Sequence, residues 1–125
     1  MEYLIIGIKI LIFISIINVW FLRFNKTTPW RGSDAQSMKD EFQAYGLSTA
    51  AMYLVGGLKV ISALLLIVSI WIPMLTIYAA GALAILMLGA IIMHIKVNDP
   101  LKKSFPAFSF LVLSLLLVAN SQGMI

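Results

Sequence analysis

The stretch TAAMYLVGGLKVISALLLIVSI, residues 49–70, decides the fold. A helix needs roughly 20 predominantly apolar residues to cross a hydrocarbon core about 30 Å thick, and this run meets that length with a single charge, Lys59, near its midpoint. It reads as a membrane span. A lysine at that depth costs roughly 2.5–3.5 kcal/mol on insertion scales, so an intramembrane ionisable group is by default a candidate functional residue. Lys59 also lacks an obvious counterion, because the five acids, Glu2, Asp34, Asp40, Glu41 and Asp99, all fall at a terminus or in a loop.

Working outward, three further segments have the same character, at about residues 3–22, 74–95 and 105–121. The first could be mistaken for a secretory signal, but it has no basic start and no small-residue cleavage pattern, and is read as retained. A chain with 62% hydrophobic and 11% charged residues lies far from the soluble average of about 25% charged. The expectation is one all-α domain over residues 1–125, a membrane four-helix bundle. The absence of cysteine excludes disulfides, a thiol nucleophile and thiolate metal sites. No metal site is expected, and nothing points to nucleic acid.

Charge sets the orientation. Arg23, Lys26, Arg31 and Lys39 lie between the first two spans, and Lys96, Lys102 and Lys103 lie between the last two. The opposite side carries no Lys or Arg, so the positive-inside rule puts both termini on the non-cytoplasmic side. Within the first connection, Ser33 and Gln36 have capping-box spacing, and Gly46 suits a helix stop. Between them Ala35, Met38, Phe42 and Tyr45 form one apolar stripe, which predicts a short amphipathic helix over about 34–45 at the membrane interface.

No phosphate-cradling glycine loop, HExxH motif or serine elbow is present. The polar residues inside the spans are therefore the candidates. Gly56, Lys59, Ser62 and Ala63 share a helical face, which points Lys59 into the bundle. Lys9 lies at similar depth in the first span, so Lys59, Lys9, Ser62 and Asn18 make a candidate intramembrane polar pocket. The plain alternatives are that Lys9 snorkels to the headgroups and that Lys59 donates to backbone or water. A second candidate is a cytoplasmic-face cluster of Arg31, Glu41, His94 and Asp99, whose plain alternative is weak surface pairing.

Trp30-Arg31-Gly32, then Met38-Lys39-Asp40-Glu41-Phe42 with Tyr45-Gly46-Leu47, then Val55-Gly56-Gly57-Leu58-Lys59-Val60, then Leu86-Met87-Leu88-Gly89-Ala90 and His94 recur in an order that resembles the DoxX-like family of small four-helix membrane proteins. The resemblance covers nearly the whole chain. It implies a four-span bundle in a bacterial cytoplasmic membrane, with namesakes linked to a thiosulfate:quinone oxidoreductase and relatives that act as membrane partners. It also implies a glutamate at the position of Lys59, from which this chain departs. The favoured function is a non-catalytic accessory subunit or assembly partner, whose lysine pairs with an acid on another membrane protein or a second copy. The alternatives are a quinone- or sulfur-oxyanion-binding component of a membrane oxidoreductase, and an oligomeric small-solute transporter. No cofactor is firmly implied, and a quinone is the one considered.

Overall fold

Four long apolar helices and one short one account for nearly all of the regular structure, and there is no strand. The computed structural model describes residues Met1–Ile125. Helix α1 spans Glu2–Ile17 and runs on into one wide π-turn, Asn18–Leu22, closed by Arg23 N–H donating to the Asn18 carbonyl at 2.9 Å. Helices α2 (Met38–Ala44), α3 (Thr49–Val68), α4 (Thr76–Lys96) and α5 (Phe105–Ser121) follow. Short 3₁₀ turns at Pro73–Leu75 and Leu101–Ser104 lead into α4 and α5. Both α1–α2 and α4–α5 connections lie at one end of the bundle, the loop end. The α3–α4 turn and both termini lie at the other.

Only 17–33% of each span's most apolar window is buried. Leu11, Leu54, Ile61, Leu64, Ile85 and Leu115 are instead exposed outward, which only a lipid solvent tolerates at this scale. Burial is confined to narrow stripes, such as Ile5, Lys9, Ile12 and Ile16 on α1, and Thr76, Ala79, Ala80, Leu83 and Met87 on α4. Small residues fill much of the α4 stripe. They let the helices approach closely, which is how packing holds membrane helices together where no water-driven term exists between them.

The amphipathic helix is shorter than the sequence predicts, and its cap is different. It begins at Met38, capped by Ser37, whose hydroxyl accepts from Asp40 N–H at 3.1 Å. Ser33 cannot cap it, because Ser33 has a left-handed backbone (φ 54°) and an N-cap needs an extended one. The expected faces persist: Met38, Phe42 and Tyr45 are buried, whereas Lys39, Asp40 and Gln43 are exposed. At its end Gly46 (φ 79°) reverses the chain, with Leu47 N–H bonding to Phe42 carbonyl at 2.9 Å and Gly46 N–H to Gln43 carbonyl at 3.0 Å. That is a Schellman stop, and its left-handed residue favours glycine.

A chamber under a charged roof

The same stop motif ends α4 and builds half of a polar cluster. Asn98 takes the left-handed position (φ 58°), Asn98 N–H bonds to Ile95 carbonyl, and Asp99 N–H bonds back to His94 carbonyl at 3.0 Å. The reversal returns the Asp99 side chain to the helix it has just left, where its carboxylate meets His94 Nδ1 at 2.7 Å. Across the gap between connections, Ser33 N–H donates to both Asp99 oxygens at 2.9 and 3.2 Å. Lys103 lies 3.8 Å from the same carboxylate and also donates to the Ser33 carbonyl. Ser33 holds a conformation that few residues with a Cβ adopt, and these contacts hold it there.

Arg31 organises the other half. It is 4% exposed, and its guanidinium donates to Glu41 Oε2 at 3.0 Å, to Lys26 carbonyl through Nε and Nη2, and to the carbonyls of Arg23 and Phe24. The planar five-donor fork thus gathers three carbonyls of the chain leaving α1, of which those of Arg23 and Phe24 also accept from Lys26 N–H and Met38 N–H. Glu41 also accepts from Tyr45 Oη at 2.7 Å and from Gly32 N–H at 3.1 Å. Gly32 must be glycine for this, since a Cβ there would enter the Tyr45 ring. Burial first, and then the Glu41 carboxylate, push the Tyr45 phenol well above its ordinary value, so it remains a donor. The edge of the Tyr45 ring meets His94 at 6.0 Å and joins the two halves. Arg31, Glu41, His94 and Asp99 therefore stand together, with Tyr45, Ser33 and Lys103 as further members that sequence reasoning did not include.

Beneath this roof lies a chamber of about 700 Å³, within the range of small-molecule sites. All four long helices contribute to its wall. Trp20, on the π-turn, hangs into the bundle against Gly56, where any Cβ would strike its ring, and packs edge-on to Phe42 at 6.1 Å. Wide π-turns of this kind recur at functional sites. Lys59 lies one helical turn beyond Gly56 on the inward face of α3, yet remains half-buried because its head looks into the chamber. Its Nζ sits 5.8 Å from the Trp20 ring centroid and makes no hydrogen bond or ion pair with the protein. Glu41 faces the same chamber but is already taken by Arg31, Tyr45 and Gly32.

The four residues expected to form one intramembrane pocket separate. Lys59 and Asn18 line the chamber, and Ser62 is buried in the helix contact without reaching it. Lys9 is at the opposite end. Its Nζ donates to Thr76 Oγ1 at 3.0 Å and to Ser69 carbonyl at 3.4 Å, beside a smaller pocket near the termini. The expectation failed because backbone depth alone was compared. Lysine stems are long, and Lys9 turns toward the α3–α4 turn, where α3 ends and leaves carbonyls without helical partners.

A family model described as DoxX-like matches residues 30–118. The chain belongs to the DoxX-like family. The matched span takes in α2 to α4 and most of α5 and, with them, Lys59 and the whole charged roof, while Lys9 on α1 and Asn18 and Trp20 on the π-turn lie outside it. Four apolar helices of spanning length make this DoxX-like chain an integral membrane protein in contact with the lipid bilayer. Neither the curated proteins nor the solved structures contain a match to it.

Proposed function

We propose that this DoxX-like protein is a non-catalytic component of a membrane complex, and that it holds a ligand by an oxygen-bearing head at Lys59. One observation carries the reading. An ammonium group on the inward face of a span looks into a chamber beside the Trp20 ring, while the Glu41 carboxylate that shares the chamber is already bound by Arg31, Tyr45 and Gly32. A cation placed there without a carboxylate is costly unless something else neutralises it or accepts its hydrogen bonds. A quinone carbonyl or a sulfur oxyanion would do so, with Trp20 below and apolar walls around. The accessory half of the proposal rests on composition: with no cysteine, the chain brings no thiol for electron transfer, so redox chemistry would belong to a partner. The concentration of Lys and Arg at the loop end supports an orientation with that end at the cytoplasmic face of a bacterial inner membrane.

Purification in mild detergent followed by mass spectrometry of extracted small molecules tests this. The wild-type protein should retain a ligand that Lys59→Met loses, while the variant inserts and melts as before. Retention of the same ligand by Lys59→Met would show that Lys59 is a tolerated core residue and nothing more.

A further inference from the structure

The chamber's walls say how its ligand arrives. Ile85 on α4 lines the chamber and is also 73% exposed, so it belongs both to the wall and to the lipid-facing surface. It stands equally far along the chain from Ile72 at the α3–α4 turn as Lys59 does, so in this antiparallel hairpin the two lie at one depth. One turn nearer the loop end, Gly89 lines the chamber too, and a Cβ added there meets nothing. The wall is therefore open sideways, at the level of the lysine and in the middle of the hydrocarbon layer. The loop end is instead polar: Arg31–Glu41 and Asp99 with His94, Ser33 and Lys103 stand there, and the exposed Arg23 and Trp30 also border the chamber. A water-soluble ion would enter among those charges, whereas the side at the level of Lys59 offers only lipid.

Resting on the reading of Lys59 given above, we infer that the ligand is a single-tailed amphiphile taken from the bilayer, its acceptor oxygens at Lys59 and its tail leaving past Ile85 and Gly89 into lipid. A free sulfur oxyanion could meet Lys59 but would make no use of the open side. A quinone with a hydrocarbon tail and a long-chain carboxylate both use it, since each joins oxygen acceptors to a chain that is already dissolved in the membrane.

Trp20 reports on the chamber, because it is 9% exposed and screened from bulk lipid. In a Trp30→Phe/Trp71→Phe background it is the remaining tryptophan. That protein in lipid nanodiscs is titrated with dibromostearate and with a decyl-tailed benzoquinone, and in parallel with dibromopropionate and the tailless quinone. The tailed probes should quench Trp20 saturably, and the more effective head identifies the source of the ligand. Gly89→Phe, which fills open space, should weaken tailed quenching about tenfold or more, a loss of about 1.4 kcal/mol of affinity per tenfold. Lys59→Met should remove the saturable part. If tailless probes bind as tightly as tailed ones, or Gly89→Phe changes nothing, sideways access is wrong while the role of Lys59 stands. If no probe quenches saturably, or wild type and Lys59→Met quench alike, the role of Lys59 falls as well.

Discussion

The two lysines inside the spans are a controlled comparison, the same side chain in the same bundle with opposite surroundings. Lys9 is 6% exposed and its ammonium is met by the Thr76 hydroxyl and the Ser69 carbonyl, two neutral oxygens that fasten α1 to the α3–α4 turn. Lys59 has a more central position and no oxygen partner. A buried charge whose donors are answered by the protein is part of the scaffold. One whose donors are left to a cavity is open to water or to a ligand, and the proposed role of Lys59 rests on that difference. The same division runs along the bundle. The turn end is held by Lys9 without an ion pair, whereas the loop end carries Arg31–Glu41 and Lys103–Asp99 and, beside them, the His94–Asp99 contact, over the chamber.

The largest expected effect breaks the loop end. Arg31→Ala removes the cation from Glu41 and leaves the Lys26 carbonyl without its donor, while the carbonyls of Arg23 and Phe24 keep only their backbone partners. Breaking a buried pair by removing one partner costs about 3–5 kcal/mol. Unfolding in detergent should show a loss of that order, and Lys9 should remain protected from amine-reactive label at the other end. A loss below about 1 kcal/mol would mean the pair is ordinary surface pairing.

A smaller effect tests the lysines directly. Lys9→Met strands the Thr76 hydroxyl and the Ser69 carbonyl, for which a cost of about 1–3 kcal/mol is expected, whereas Lys59→Met strands nothing and should leave stability unchanged or raised. Lys9→Met should retain the chamber ligand that Lys59→Met loses. Equal destabilisation by the two substitutions would erase the distinction between them.

Much of this was legible because hydropathy and charge are local. The spans follow from apolar length, and the grouping of Arg31, Glu41, His94 and Asp99 follows from the loop end being the one place where acids and bases coexist. What was not legible depends on backbone torsion and side-chain reach. The left-handed Ser33 displaced the helix cap to Ser37, and the stem of Lys9 carried its charge away from Lys59. The π-turn beneath Trp20 left no trace in residue type. Its partner did, in hindsight: Gly56 precedes Lys59 by one turn, and a glycine on an inward face marks where something large must pass. Tyr45 belongs to the apolar stripe by spacing, but spacing says nothing of its hydroxyl, the part that joins Glu41 to the roof.

That hydroxyl supplies the smallest effect, and pH isolates it. The Tyr45 phenol is held above its ordinary value of 10.0 in the folded protein, by burial first and by Glu41 second. As pH rises past 10.0 the unfolded chain releases this proton while the folded chain keeps it, so the folded state binds more protons and stability falls with pH. The contribution is fully present below that value and is lost above it. Tyr45→Phe keeps the ring against His94 and removes only the donor to Glu41, so it should cost about 0.5–1.5 kcal/mol at neutral pH. The gap between wild type and variant should then close under alkali, because the variant has no phenol at this position to titrate. A gap that stays constant from about pH 8 to about pH 11 would mean the Tyr45 proton is not linked to folding.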